Sequence, residues 1–306
     1  MSAVAIQALP SCTAEAKRLA ALLDLPCHDI AMHAFPDGEI GVTVGPAAAT
    51  TILYASLDRP NDKLIAILLA AEALRRGGAK RLVLLAPYLC YMRQDTAFHP
   101  GEAISQRAIG RLLAGLVDRV ITVDAHLHRT ADIRDVFPGI EADNLSAMPA
   151  IAHALSMSGT DPSTVVVGPD AESRPWVSDL AGRLGLRYAV AQKIRRGDLA
   201  VEIELPRDLA PSGRPVLLVD DIVSSGGTLI SAASALQAAG AGPIDAVITH
   251  ALFPPEMAET LGNAGIRSVR STSSVPHPTN AIPLDEILAA PLRREITGAT
   301  VSETTP

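Results

Sequence analysis

Short apolar runs rich in β-branched residues alternate with helix-period patterns along this chain, and the alternation runs through twice. "TTILYASL" (50–57) is followed by a helical pattern over 62–76, "RLVLLAPYL" by one over 103–116, and then comes "RVITVDAH". After Asn144 the rhythm restarts with "STVVVGPD", a helix over 173–184, "RYAVAQKIR", "VEIELP", "PVLLVDD", a helix over 227–239 and "DAVITHALF". Strands that read as continuous apolar runs are covered on both faces, so the pattern predicts two open, mainly parallel sheets packed between helices. A chain of 306 residues, 48% hydrophobic, can bury two cores of ordinary size. Its 3% aromatic content leaves those cores to small aliphatic side chains.

Charge and cysteine usage remove several classes of function. A formal net charge of −7 offers no general field for nucleic acid or an anionic membrane, so neither is an expected partner. Cys12, Cys27 and Cys90 form no CxxC pair, which argues against a disulfide framework or a zinc site. The N-terminal residues lack the build of a secretory signal, and the longest apolar run, "LIAILLAAEAL", is short and interrupted by Glu72. A soluble, cytoplasmic protein is the expectation.

The stretch "RPVLLVDDIVSSGGTLISAASAL" (214–236) carries the chemistry. An apolar strand ends in Asp220 and Asp221, and a loop of Ser224, Ser225, Gly226, Gly227 and Thr228 opens a helix. Ligands of open parallel sheets lie beyond the carboxyl ends of the strands. There the glycines let the backbone approach an anion, and the helix adds unpaired N–H groups. The carboxylates would repel a phosphate, so they suit hydroxyls or a hydrated cation while the loop takes the phosphate. A sugar phosphate satisfies both halves. The stretch is neither a Walker loop nor a dinucleotide fingerprint. It resembles the phosphoribosyl-diphosphate signature shared by type I phosphoribosyltransferases and ribose-phosphate diphosphokinases.

Motifs in the first half separate the two. "FPDGEIGV" (35–42), "PYLCYMRQD" (87–95), "GEAISQR" (101–107) and "VDAHLHR" (123–129) stand in the order found in the diphosphokinases, with "GPD", "KIR" and "DDIVSSGGT" following. The resemblance covers roughly residues 30–285. It implies two similar domains of the type I phosphoribosyltransferase fold, 1–144 on the ATP side and 145–306 on the ribose 5-phosphate side, with the active site between them and the final residues packed back on the first domain. Phe35, Asp37, Glu39, Arg93, Gln94, Asp95 and His126 would bind ATP, the Phe35 loop reaching the adenine of a neighbouring subunit in a homo-oligomer (dimer or higher). Asp170, Asp220, Asp221 and residues 224–228 would bind ribose 5-phosphate. His126 and Asp170 would position Mg2+, with His128 spaced for a second contact. Lys193 and Arg195 would match the Lys-x-Arg of a mobile catalytic loop, and His126 would be catalytic with them.

Some positions depart from the family pattern: Ala125, Thr96, Ala97, Ser224, and "AESRPWV" (171–177) in place of a glycine-rich loop. They point to a divergent bacterial subgroup and bear on phosphate activation, ADP inhibition and nucleotide preference. The carried-over basic, histidine and acidic positions argue against a silent regulatory homologue. An ordinary phosphoribosyltransferase, the other alternative, leaves "FPDGE" and "YMRQD" without a role.

Overall fold

In a computed structural model the chain forms two compact units, 1–146 with 274–276 and 285–306, and 147–273 with 277–284. The residues described are 3–196, 200–206, 209 and 211–303, with the side chains of 193–196, 200–202 and 298–303 left aside. The predicted boundary at 144/145 lies beside the break at 146/147. The segment from Asp285 onward, however, belongs to the first unit rather than the second.

The first unit contains β1 (Val4–Ala8), α1 (Thr13–Leu23), β2 (Cys27–Asp29), β3 (Ala31–Ala34), β4 (Ile40–Thr43), β5 (Thr50–Tyr54), α2 (Pro60–Arg76), β6 (Arg81–Ala86), α3 (Ser105–Ala114), β7 (Arg119–Val123) and β8 (Glu141–Leu145). Its sheet runs β2-β1-β5-β6-β7-β8, all parallel. The strands β1, β5 and β7 are buried throughout, as strands covered on both faces must be. β3 and β4 pair as a separate antiparallel ribbon whose turn uses Gly38 at φ +92°, a conformation open to glycine at little cost.

The second unit contains α4 (Met148–Ser158), β9 (Val165–Gly168), α5 (Arg174–Leu184), β10 (Arg187–Val190), β11 (Gln192–Arg196), β12 (Ala200–Glu204), β13 (Val216–Val223), α6 (Gly227–Ala238), β14 (Ile244–Ala251), α7 (Met257–Asn263), β15 (Ile266–Thr272) and β16 (Asn280–Ile282). Its parallel sheet runs β10-β9-β13-β14-β15-β16, and β11 and β12 form an antiparallel ribbon. Counted by its own strands, each main sheet therefore has the order 2-1-3-4-5-6, with a ribbon inserted between the second and third strands. That shared topology is the duplication that the sequence shows only as a repeated rhythm. The small-residue face of α6 (Leu229, Ala232, Ala233, Leu236) joins Val165, Val167, Leu218 and Ile248 in the core.

The last helix, α8 (Asp285–Glu303), belongs to the first unit. The buried Glu295 accepts from Arg81 Nε and Nη2 (2.7 and 2.9 Å) and from Arg119 Nη1 (2.7 Å). Arg81 and Arg119 open β6 and β7, so one carboxylate fastens this helix to the amino ends of two central strands. Burial alone would raise the Glu295 pKa, but the two guanidiniums outweigh it and hold it below the usual range. Its contribution is therefore present above the ordinary glutamate pKa and fades as pH falls through the depressed value. Glu295→Ala, which leaves the buried Arg119 without this partner, is expected to cost about 3 kcal/mol in urea unfolding at pH 7, with the loss shrinking in acid. None of the described helices is long and apolar enough to cross a membrane.

Candidate active site

In the second unit, β13 outlasts its neighbour. Its pairing with β9 ends at Leu218↔Val167, whereas its pairing with β14 continues to Val223↔Ala251. The chain leaves β9 toward β10 on one side while β13 lies on the other, so the notch beyond Gly168 is the topological switch point at which such sheets bind ligands. Asp170, Asp220 and Asp221 stand around it. Asp170 caps a single 3-10 turn, its Oδ1 accepting from Glu172 N–H (3.1 Å). A side chain at Gly168 would collide with Ser173, whose hydroxyl donates to the Asp170 carbonyl (2.6 Å), so the close approach there needs glycine. Burial, then the negative charges of Asp221 and Asp170, push the Asp220 pKa well above the carboxylate range.

The loop after β13 exposes Ser224 and Ser225 and reaches α6 through Gly226 at φ +71°. α6 has no side-chain cap and no acidic residue in its first turn. Its leading N–H groups are therefore not screened by a carboxylate from that turn, as an anion cradle requires. Three carboxylates beside such a cradle match the two halves of a phosphorylated sugar and suit a hard, oxygen-seeking ion.

The corresponding switch point of the first unit, between β1 and β5, is filled by the chain itself. Ser56 N–H donates to Cys12 Sγ (3.2 Å), and Lys63 bonds the Ser56 carbonyl (2.8 Å) and Asp58 (2.6 Å). The Ser56 hydroxyl donates to the Ser274 carbonyl (2.5 Å). Duplication of the fold has not duplicated this site.

Polar residues of the first unit collect instead after β5, β6 and β7, where Arg59, Tyr91 and Asp124 take positive φ values of 46°, 61° and 38°. Three non-glycine residues in that region, one after each of three adjacent strands, mark strain held in place by its surroundings. The exposed Arg93 follows Tyr91. The Gln94 amide is engaged within its own loop, taking the Ser105 hydroxyl (2.5 Å) and donating to Glu102 (2.7 Å). Asp95 is buried and accepts from Arg129 N–H (3.0 Å) and Arg129 Nη1 (2.8 Å). Burial would raise the Asp95 pKa, but these Arg129 bonds outweigh it and lower it. Gln106, at the start of α3, donates from Nε2 to the Met92 carbonyl (3.4 Å) and accepts at Oε1 from Thr130 (2.9 Å), so the helix gives a second link between the loop carrying Arg93 and the loop carrying His126 and His128.

Gln94 and Asp95 shape the loop in this structure, beside the nucleotide contacts that the resemblance implies for them. The sequence reading named Arg93 and His126 but passed over Glu102, Gln106 and Arg129, which lie inside the quoted motifs: Glu102 ties the loop of Arg93 to itself, while Gln106 and Arg129 reach between the segments. Phe35 is exposed and edge-on to His33, and with Asp37 and Glu39 it occupies the tip of the β3–β4 ribbon. Lys193 and Arg195 lie in β11, paired with Ile203 and Val201; their side chains fall outside those described.

With Asp95–Arg129 as a positioning pair, Arg129→Ala should raise KM by about tenfold for the ATP that the resemblance implies, leave binding of the implied ribose 5-phosphate unchanged in calorimetry, and be matched by Asp95→Asn. Unequal or absent effects in steady-state kinetics would remove the pairing from the function.

The second unit is thereby defined as a phosphoribosyltransferase-type domain, and the phosphoribosyl transferase domain model matches residues 144–285. The model for the N-terminal domain of ribose phosphate pyrophosphokinase matches 4–116. A ribose-phosphate pyrophosphokinase of Methanopyrus kandleri is 36% identical over 264 residues, 86% of this chain and 89% of that one. Ribose-phosphate pyrophosphokinase 2 of Archaeoglobus fulgidus is 32% identical over 280 residues, 92% and 97% of the two chains. The crystal structure of phosphoribosylpyrophosphate synthetase from Mycobacterium smegmatis superposes with a TM-score of 0.82 at 25% identity, covering 96% of this chain and 99% of that one. The chain belongs to the ribose-phosphate pyrophosphokinase family.

Proposed function

We propose that the protein transfers the diphosphoryl group of ATP to the C1 hydroxyl of ribose 5-phosphate, giving phosphoribosyl diphosphate and AMP. The observation that carries this reading is the switch point of the second unit, with Asp170, Asp220 and Asp221 beside the Ser224–Thr228 cradle, in a chain whose first half belongs to the same family. In the reaction the C1 hydroxyl gives its proton to solvent as its oxygen bonds to the β-phosphorus, the bond between the β-phosphorus and the oxygen it shares with the α-phosphorus breaks, and AMP departs with that oxygen.

Asp220 and Asp221 hold the ribose hydroxyls and the loop N–H groups hold the 5-phosphate. Arg93 takes nucleotide phosphate, and Phe35, Asp37 and Glu39 receive adenine in a homo-oligomer. Lys193 and Arg195 stabilise the charge on the moving group. Catalysis rests on positioning and charge, without a covalent enzyme intermediate. Mg2+ accompanying ATP would neutralise phosphate charge, and the carboxylates of the second unit, Asp170 among them, are oxygen donors suited to it.

AMP release that requires ribose 5-phosphate, ATP and a divalent ion together is the expected result, followed by phosphorus NMR. A well-folded protein that binds both substrates yet releases no AMP would leave a regulatory homologue in place of the enzyme.

A further inference from the structure

A cavity of about 300 Å3 lies along β10 in the second unit, and none of the residues assigned to the reaction lines it. Three arginines do: Arg174 at the start of α5, Arg187 at the start of β10 and Arg214 in the turn before β13. No aspartate or glutamate stands among the described residues around it, and among the described residues none of the three guanidiniums has an ion pair. Other arginines of the same unit are matched, Arg183 with Asp179 (3.0 Å) and Arg267 with Asp245 (2.5 Å). Three unmatched cations around one cavity, in a chain of net charge −7, make a local positive field that an anion would relieve.

The backbone that presents these groups is fixed on each side. Arg187 stands beside Val165 in the β10–β9 register. The Arg214 turn is pinned by Arg214 N–H donating to the Pro211 carbonyl (2.9 Å) and Gly242 N–H donating to the Arg214 carbonyl (2.8 Å). Arg174 follows Ser173, whose bond to the Asp170 carbonyl closes the preceding turn. The rest of the wall is apolar, with Val165, Val190, Pro206 and Leu209, and the exposed ring of Tyr188 stands beside them. An apolar wall with a few placed polar groups is the build of a small-molecule site. Guanidiniums take phosphate oxygens in bidentate pairs, and a doubly charged head suits three of them better than a single carboxylate does.

We propose that this cavity binds a small phosphomonoester with an apolar or aromatic body, its phosphate drawn to Arg174, Arg187 and Arg214. The inference goes beyond the proposed reaction and does not rest on it, since it concerns a ligand that takes no part in the transfer. Val190 and Pro206 stand where the chain enters and leaves the β11–β12 ribbon, so the ligand rests at the base of that ribbon.

The test is titration of the full-length protein with phenyl phosphate, followed by calorimetry and by the fluorescence of Trp176, the chain's single tryptophan, two residues beyond Arg174. One saturable site per chain is expected. Inorganic phosphate, which lacks the body, and benzoate, which lacks the second charge, should each bind at least about tenfold more weakly. Excess ribose 5-phosphate, whose body is polar, should not displace phenyl phosphate. Arg187→Ala and Arg214→Ala should each weaken binding by at least about tenfold, and Arg183→Ala, outside the cavity, should not. If either variant fails to fold, the ring-proton NMR signals of Tyr188 in the unaltered protein should shift during the titration before those of the other tyrosines. Absent saturable binding, binding indifferent to both arginine substitutions, or displacement by ribose 5-phosphate would each overturn the proposal. A protein that releases AMP but does not bind phenyl phosphate would keep the proposed function and lose this site, and one that binds it without releasing AMP would keep the site, so the two readings fail separately.

Discussion

Asp220→Asn is expected to cut kcat/KM for ribose 5-phosphate by at least about a hundredfold while raising the melting temperature of the ligand-free protein. Both halves follow from one feature. Asp220 sits among Asp221 and Asp170, and burial followed by their charge disfavours its ionised form. The folded pKa therefore lies above the unfolded one, so the cost of ionising it is absent below the ordinary aspartate range. That cost grows as pH rises from there toward the folded value. The amide removes the cost, and a gain of about 1 kcal/mol would shift the transition by roughly 2–4 °C, more at pH 8 than at pH 4.

The same carboxylate is assigned to ribose hydroxyls. A hydrogen bond to a charged group contributes about 1.5–3 kcal/mol, so once the bound sugar draws Asp220 into its ionised form, losing that charge at two hydroxyls accounts for the drop in rate. ATP binding, measured by calorimetry, should hardly change. A variant that kept its kinetics would remove Asp220 from the sugar site, and one that was less stable at every pH would remove the strain. The expected opposition of stability and activity is the usual mark of a site kept uncomfortable for its ligand.

The central strands and their helices were legible because burial on both faces leaves a continuous apolar run. The helical patterns at 62–76, 103–116, 173–184 and 227–239 became Pro60–Arg76, Ser105–Ala114, Arg174–Leu184 and Gly227–Ala238. The edges were not legible. β2, β8 and β16 are three to five residues long and mostly polar or half-exposed, and they are strands only because a neighbour supplies the pairing. "RYAVAQKIR" reads as one strand, yet Ala191 separates β10, which pairs with β9, from β11, which pairs with β12. Periodicity records which face is buried, not which partner is chosen. The return of the C-terminal helix to the first unit depends on Glu295 meeting Arg81 and Arg119 across more than 170 residues of chain, which no local pattern contains.

The site divides along the same line. Asp220, Asp221 and the glycine loop are contiguous, so their chemistry could be read from one stretch. The Asp95–Arg129 and Gln106–Thr130 ties join separate segments, a loop or the start of α3 to the loop after β7, and became visible only when the strands set those segments side by side. His126 and His128 were both visible, but nothing in the spacing alone tells that their Nε2 atoms meet.

Lys193→Ala and Arg195→Ala are each expected to lower turnover by at least about two orders of magnitude with modest changes in Michaelis constants, and Arg196→Ala is expected to be nearly silent. Cationic heads assigned to charge that develops during transfer contribute most at the transition state, and removing one preorganised donor of that kind costs about 3–4 kcal/mol. The strand register gives the control its force. In β11, positions 193 and 195 pair with 203 and 201 and fall on one side of the ribbon, whereas 196 pairs with 200 and falls on the other. Three cations within four residues could otherwise form one solvated turn. In that case all three substitutions would be mild, each within about 0.5 kcal/mol in stability and without a rate effect. Alternation predicts instead a split of two against one. Steady-state kinetics on the three variants, with folding checked by circular dichroism, reads the split directly. Equal small effects would end the catalytic assignment of β11, and a loss confined to KM would make Lys193 and Arg195 ground-state binding residues rather than stabilisers of the transferring group.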